Sequence, residues 1–316
     1  MSFHSSRQDV ITNWQDKHAK LFGKHVVSLE HGLHLSDIFS DEALAELIET
    51  TPRDSYHVNT MNPDAHEQNT WREGELGRCS GAQALEAVRK GTIWILIQKL
   101  ESHPVYGKLL NEIYDEFEAR MPGSSFNRRK KSILISSPRV QVYYHCDIPG
   151  QMLWQVRGRK KVFVYPNTEP FLERPSMERI ILGEADEQDT AYEPWYDDYA
   201  EVIDLEPGMM AHWPLNGPHR VANEDCLNVS FTTSHYTKDI RNSYAVNYAN
   251  GILRKMGMNP EYRLHGPSVF GKAALAAAYK ASGLQRMNEM SFDINFRVDP
   301  DAPGGYVDIP SYRLQR

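Results

Sequence analysis

The sequence predicts a mainly β protein, with a core of short strands held between two helix-rich flanks. Three observations carry this. From Ser132 to Tyr236 the chain breaks into strand-length apolar runs, "ILISS", "RVQVYYHCD", "LWQVRG", "KKVFVYP", "EVIDL", "MMAHWP" and "LNVSFTTSHY". Turn residues separate them, which is the pattern of a sandwich or barrel. Before Ser132 and after Thr237 the apolar residues recur at helical spacing between capping and stop signals.

In chain order, "FSDEALAELIETTPRD" predicts a short helix, with Ser40 capping its first turn, Asp41 and Glu42 at the positive end of its dipole, and Pro52 closing it. "SGAQALEAVRKG" repeats the logic through a Ser80/Gln83 capping box and Gly91. "TIWILIQKL" reads as a strand, and from Val105 to Pro122 the apolar positions return to helical spacing. The basic run Arg128 to Lys131 reads as a solvated turn ahead of the first core strand.

Inside the β region the connection from about Asn167 to Ala200 is long, acidic and aromatic, and reads either as a lid or as a solvated insertion. Beyond it, "KDIRNSYAVNYANGILRKMG" and "SVFGKAALAAAYKASG" predict two helices, the second capped by Ser268 and closed by Gly283. These helices could cover one end of the core or join two copies of the chain as a homodimer. The Pro/Gly-rich tail reads as extended. No repeat or linker divides the chain, so it is expected to be one compact unit. That unit comprises a mixed α/β region 1–131, a core 132–237, and C-terminal helices with a tail 238–316.

With 316 residues, 41% of them hydrophobic and 24% charged, the chain is long enough to bury a core and still hold a cleft. A net charge of -7 argues against a nucleic-acid partner. Without a signal-type leader or an apolar run of membrane-spanning length, a cytoplasmic protein with no membrane partner is expected. The three cysteines, Cys79, Cys146 and Cys226, lack CxxC spacing and exclude a cysteine-built zinc site.

The chemistry concentrates at "VYYHCD". On a strand, His145 and Asp147 project to one face and Cys146 to the other. Two such ligands plus a histidine from another strand make the two-His-one-carboxylate set that holds non-haem Fe(II) with open positions. HxD alone is a weak signal. "LEPGMMAHWPLNGPHRV" supplies the third ligand as either His212 or His219. "RGRKKVFVYP" then places one of two adjacent lysines, Lys160 or Lys161, inside the core, where burial is costly without a carboxylate partner.

Taken as an ordered set, HxD, "RGRKKVFVYP", "PGMMAHWPLNGPH" and "LNVSF" resemble the Jumonji-C, cupin-like branch of the Fe(II)/2-oxoglutarate-dependent oxygenases. The resemblance runs from about Ser132 to Tyr236 and implies a double-stranded β-helix, or jelly-roll, core. Its register selects His219 over His212 as third metal ligand and Lys160 as partner of the far carboxylate of 2-oxoglutarate. It also places Gln151, Asn228 and Ser230 beside the cosubstrate. Two positions depart from the pattern: Met209 stands where an acidic residue follows Pro-Gly, and Val142 where a polar residue precedes HxD. Another hydroxyl is then needed, from Tyr143, Ser136 or Ser137.

The resemblance implies that Fe(II), 2-oxoglutarate and O2 serve a hydroxylase-type dioxygenase acting on a small molecule or a peptide side chain. A metal-dependent cupin enzyme that does not use 2-oxoglutarate is one alternative, and a non-catalytic cupin-fold binding protein is another. The stretch "AYEPWYDDYA" is suited to closing over a positively charged substrate.

Overall fold

A computed structural model describes residues 9–61, 70–283 and 291–315. The first part of the chain forms α1 (Asp16–Leu21), β1 (Val27–Glu30), α2 (Asp41–Thr50), β2 (Tyr56–Thr60), β3 (Arg72–Glu75), α3 (Gly81–Lys90), β4 (Ile93–Ile97) and α4 (Pro104–Arg120). The core follows as β5 (Asn127–Ser136), β6 (Gln141–His145), β7 (Gly150–Arg157), β8 (Lys160–Val164), α5 (Arg174–Ile181), β9 (Glu201–Leu205), β10 (Met209–His212), β11 (His219–Asn223) and β12 (Asn228–Tyr236). The chain then runs through α6 (Lys238–Lys255), α7 (Pro267–Ala281), β13 (Ser291–Val298) and β14 (Tyr306–Gln315).

Two sheets result, one of ten strands in the order β1-β10-β7-β12-β5-β4-β2-β3-β13-β14 and one of four in the order β6-β11-β8-β9. Strand alternation gives each sheet one face toward the other. Between them Leu153, Val162, Val164, Ile203, Leu205, Ala211, Trp213 and Val221 form a shared core, the inside of a jelly roll. The opposite face of the large sheet carries Ile133, Ile135, Trp154 and Phe231, buried under Leu44, Leu85, Val88, Ile113 and Phe117 of α2, α3 and α4.

The helices start and stop where their caps direct. Ser40 accepts the Ala43 N–H, and Ser80 and Gln83 satisfy each other's backbone donors. Two local expectations need correction. The run Arg128 to Lys131 is not a turn but the first half of β5, because Lys130 and Lys131 pair with Ser234 and Thr233 of β12. Arg129 is neutralised by Asp115 and Glu118 of α4, and Lys131 is 1% exposed with its Nζ unpartnered among the described residues and its pKa lowered by burial to about 8. The last helix begins at Pro267, with Gly266 at φ +98° as its cap, which leaves Ser268 inside the first turn. Proline's fixed φ starts a helix there without a side-chain cap.

The N-terminal region contributes more strand than its sequence suggested. β1 pairs with β10, β4 with β5, and β2 and β3 extend the same sheet. The tail joins it too, with β13 parallel to β3 and β14 at the edge. Residues 167–200 are packed: Phe171 and Tyr196 bury against Tyr144 and Tyr165, and Leu172, Met177, Ile180 and Ile181 bury against Cys146, Tyr248 and Ile252. No helix among the described residues is long and apolar enough to cross a membrane.

Candidate metal centre

His145 ends β6, Asp147 follows it, and His219 begins β11 directly across the ladder from His145. A register shift between His219 and Val221 gives β6 one extra residue at this point, the kind of bulge that re-aims side chains at a sheet rim. Ligand atoms of His145, Asp147 and His219 all lie within 4.8 Å of one another. His145 Nε2 is 3.9 Å from Asp147 Oδ1, and His219 Nε2 is 3.4 Å from Asp147 Oδ2.

Both imidazoles are oriented from behind. His145 Nδ1 donates to the Tyr143 carbonyl at 2.7 Å and His219 Nδ1 to the Gly217 carbonyl at 3.0 Å, which leaves each Nε2 as a lone-pair donor toward the third residue. The Asp147 carboxylate accepts from Gln151 Nε2 at 3.2 Å. Asn216, in a left-handed turn at φ +55°, ties the Asp147 carbonyl at 2.9 Å and accepts from Ser243 of α6. Burial raises the Asp147 pKa, and burial followed by the charge of His145 holds that of His219 well below its ordinary value. A divalent cation among the three offsets these penalties, since it favours an ionised carboxylate and neutral imidazoles. Two nitrogen donors and one oxygen donor on one side of a partly apolar pocket fit an octahedral Fe(II) with its remaining positions free.

Lys160 points into the jelly roll with Val162 and Val164, and Lys161 points out, where it reaches Asp204 at 3.5 Å. The Lys160 ammonium donates to Ser230 Oγ at 2.8 Å, and Ser230 donates to Gln155 Oε1 at 2.7 Å. Gln155 Nε2 donates in turn to Asn228 Oδ1 at 2.7 Å. Among the described residues no carboxylate pairs with Lys160, and burial lowers its pKa to about 7. A buried cation held only by neutral oxygen is suited to an incoming carboxylate. Trp94 Nε1 and Gln141 Nε2 are further buried donors without a partner among the described residues, and Gln141 and Lys160 flank β11 at adjacent rungs.

The remaining candidates divide. His212 faces the outer side of the large sheet, stacked on Phe22 at 3.8 Å, with its Nδ1 on the Gln151 carbonyl and its Nε2 accepting the Gly23 N–H. Tyr143 packs with Trp94 and Met61, and its hydroxyl is 2.7 Å from Thr70 Oγ1. Ser137 is spent on the Val88 carbonyl and the Ile93 N–H, whereas Ser136 accepts from Asn223. Sequence reasoning missed Gln155, Asn216 and Glu187. Gln155 was readable as the residue four beyond Gln151 on the same strand face, and Asn216 as the turn residue in "PLNGP". Glu187 carried no local signal. Its Oε1 accepts the Ile148 N–H at 3.3 Å, beside Asp147, and burial, then the Asp147 charge, raises its pKa to about 8.

A cavity of about 470 Å³ opens on the Asp147 side of the cluster, bounded by Gln151, Trp213 and Asn216 at one end and by Phe22, Asn127 and Arg241 elsewhere. Its size is that of a small-molecule or side-chain site.

No family model and no curated protein matches the chain by sequence. By structure it is similar to Escherichia coli YcfD, at TM-score 0.51 and 16% identity over 88% of this chain and 70% of that one. A structure of YcfD described as a ribosomal oxygenase in complex with cobalt and 2-oxoglutarate gives TM-score 0.51 and 16% identity over 87% and 68%. A third YcfD structure gives TM-score 0.50 at the same identity. The chain is thus a mainly β protein with flanking helices and a jelly-roll core, and it shares its fold with a ribosomal oxygenase.

Proposed function

We propose that this chain is an Fe(II)- and 2-oxoglutarate-dependent oxygenase that hydroxylates a protein side chain or a small molecule. Iron and 2-oxoglutarate, when bound, supply the activation of O2 that oxidises an unactivated C–H bond. His145, Asp147 and His219 hold the metal, each fixed by a hydrogen bond from behind. Lys160 receives the far carboxylate of 2-oxoglutarate, with Ser230, Gln155 and Asn228 setting the position of its ammonium. Gln151 keeps the Asp147 carboxylate turned toward the histidines. Val162, Val164, Leu153 and Val221 exclude water around Lys160 and so strengthen its pull on an anion.

The observation that carries this reading is the combination, in one jelly roll, of the three-residue cluster with a buried lysine that has no carboxylate partner among the described residues. The solved neighbour's description as a ribosomal oxygenase favours a protein side chain over a small molecule. The test is succinate and CO2 release by iron-loaded protein supplied with 2-oxoglutarate and O2, alongside Asp147→Ala and Lys160→Met. Turnover that is lost in the first variant and shows a raised 2-oxoglutarate requirement in the second supports the proposal. Tight iron binding with no affinity for 2-oxoglutarate points instead to a metal protein of another kind.

A further inference from the structure

Residues 184–201 contain eight carboxylates and no lysine or arginine. One part of this segment is a 3-10 helix, Pro194–Tyr199, whose inward side is fully engaged. Tyr196 is buried and donates to the Pro170 carbonyl at 2.9 Å. Asp197 accepts from Tyr165 at 2.5 Å and from Tyr192 at 3.0 Å and is paired with Arg220. The outward side is therefore rigidly presented, and it is aromatic: Trp195 is 46% exposed and Tyr199 62%. Their rings are 5.9 Å apart at 84°, and each stands within 6 Å of Phe171 beneath. Val202, 45% exposed, continues the apolar strip. Glu193, Asp198 and Glu201 are exposed around it and form no ion pair among the described residues.

We propose that this surface docks a basic segment of a partner polypeptide, with arginine or lysine side chains laid on Trp195 and Tyr199 and paired to Glu193, Asp198 and Glu201. Aromatic faces bordered by free carboxylates attract guanidinium and ammonium groups through both the ring quadrupole and charge. The same charge repels a nucleic-acid backbone or an anionic membrane, and it opposes a symmetric contact with a second copy, which would set carboxylates against carboxylates. Because Arg220, Tyr165 and Tyr192 hold the helix in place beforehand, little ordering entropy is lost when a partner arrives. The segment also connects to the metal loop through Glu187 and Ile148.

The test uses the full chain without metal or 2-oxoglutarate, so its outcome is independent of the oxygenase reading. A fluorescent arginine- and lysine-rich peptide is titrated and followed by anisotropy, beside a counterpart with citrulline and acetyl-lysine in place of the charged residues. The basic peptide is expected to bind, and Trp195→Ala/Tyr199→Ala to weaken it about tenfold, from two exposed cation–π contacts. Glu193→Gln/Asp198→Asn is expected to weaken binding and flatten its salt dependence. Each variant should keep a cooperative thermal melt, with the carboxylate variant at the parent value and the aromatic one lowered only by its lost ring contacts with Phe171 and Tyr196. Undiminished binding by the aromatic variant, equal binding of the neutral peptide, or no binding of the basic one would overturn the proposal.

Discussion

Lys160 Nζ lies 2.8 Å from the Ser230 hydroxyl, and that hydroxyl donates in turn to Gln155 Oε1 at 2.7 Å, so the ammonium is hydrogen-bonded by neutral groups with no counter-charge among the described residues. Its pKa falls from 10.5 to about 7. A folded pKa below the unfolded one means that the charged form opposes folding. The penalty is complete below about 7 and fades as pH rises toward 10.5.

Binding a carboxylate should reverse that shift. Above the lowered pKa of Lys160, 2-oxoglutarate should bind with net proton uptake, because its carboxylate restores the charged ammonium. Titration calorimetry in buffers of different ionisation enthalpy measures this. Lys160→Met should abolish the uptake and weaken 2-oxoglutarate by about 10- to 100-fold, the value of one charge-assisted hydrogen bond. Uptake that persists in the variant would assign the proton to another group.

Asp147→Ala should abolish tight binding of Co(II), read from its visible absorption. Asn216→Ala, which removes the hydrogen bonds to the Asp147 carbonyl and from Ser243, should weaken the metal by about 10- to 100-fold and leave the stoichiometry intact. Equal metal affinity in the Asp147 variant would remove that carboxylate from the ligand set.

His212 is a structural histidine, and its pKa is lowered by burial to about 4. Its folded value lies below the unfolded 6.5, so the stability it contributes is complete above about 6.5 and is lost as pH falls toward 4. His31, lowered to about 4 for the same reason, should lose stability over the same window. Urea titrations should show stability declining across this range, and less steeply in His212→Gln. Replacement by alanine, which vacates the stack on Phe22 and strands two backbone partners, should cost about 3 kcal/mol while sparing metal binding.

Arg220 is sandwiched between the Phe163 ring, 3.5 Å from its guanidinium carbon, and Asp197 of the insertion. Arg220→Ala leaves the partly exposed Asp197 with only its tyrosine donors and vacates the contact with Phe163, and should cost about 1 to 3 kcal/mol. The loss should fall on residues 167–200 and appear as faster limited proteolysis there, ahead of any change in the global melting transition.

Much of the fold was legible because its signals are local. Ser40 and Ser80 marked helix starts, and the alternating apolar runs marked β7, β8 and β12, since caps and alternation depend on neighbours a few residues away. β1, β2 and β3 escaped because strands of four or five residues are stabilised by partners far along the chain, such as His212 opposite Val27. The Arg128 to Lys131 run misled for the same reason, since its strand conformation is imposed by β12 and its charge is absorbed by α4.

The sequence by itself determined that His145 and Asp147 would lie side by side, because HxD at a strand end puts both on one side with Cys146 turned away. It also determined that only one of Lys160 and Lys161 could be inside. The register of the family resemblance selected His219 over His212, and tertiary structure supplied the physical reason, because the β6–β11 ladder joins His145 to His219 whereas β10 turns His212 to the outer face. Tertiary structure alone decided that Lys160 rests on Ser230 and not on a carboxylate, and that Trp195 and Tyr199 stand outside. Those outcomes depend on which distant strands share an edge and which side chains the packing of residues 167–200 leaves uncovered, and no local pattern encodes either.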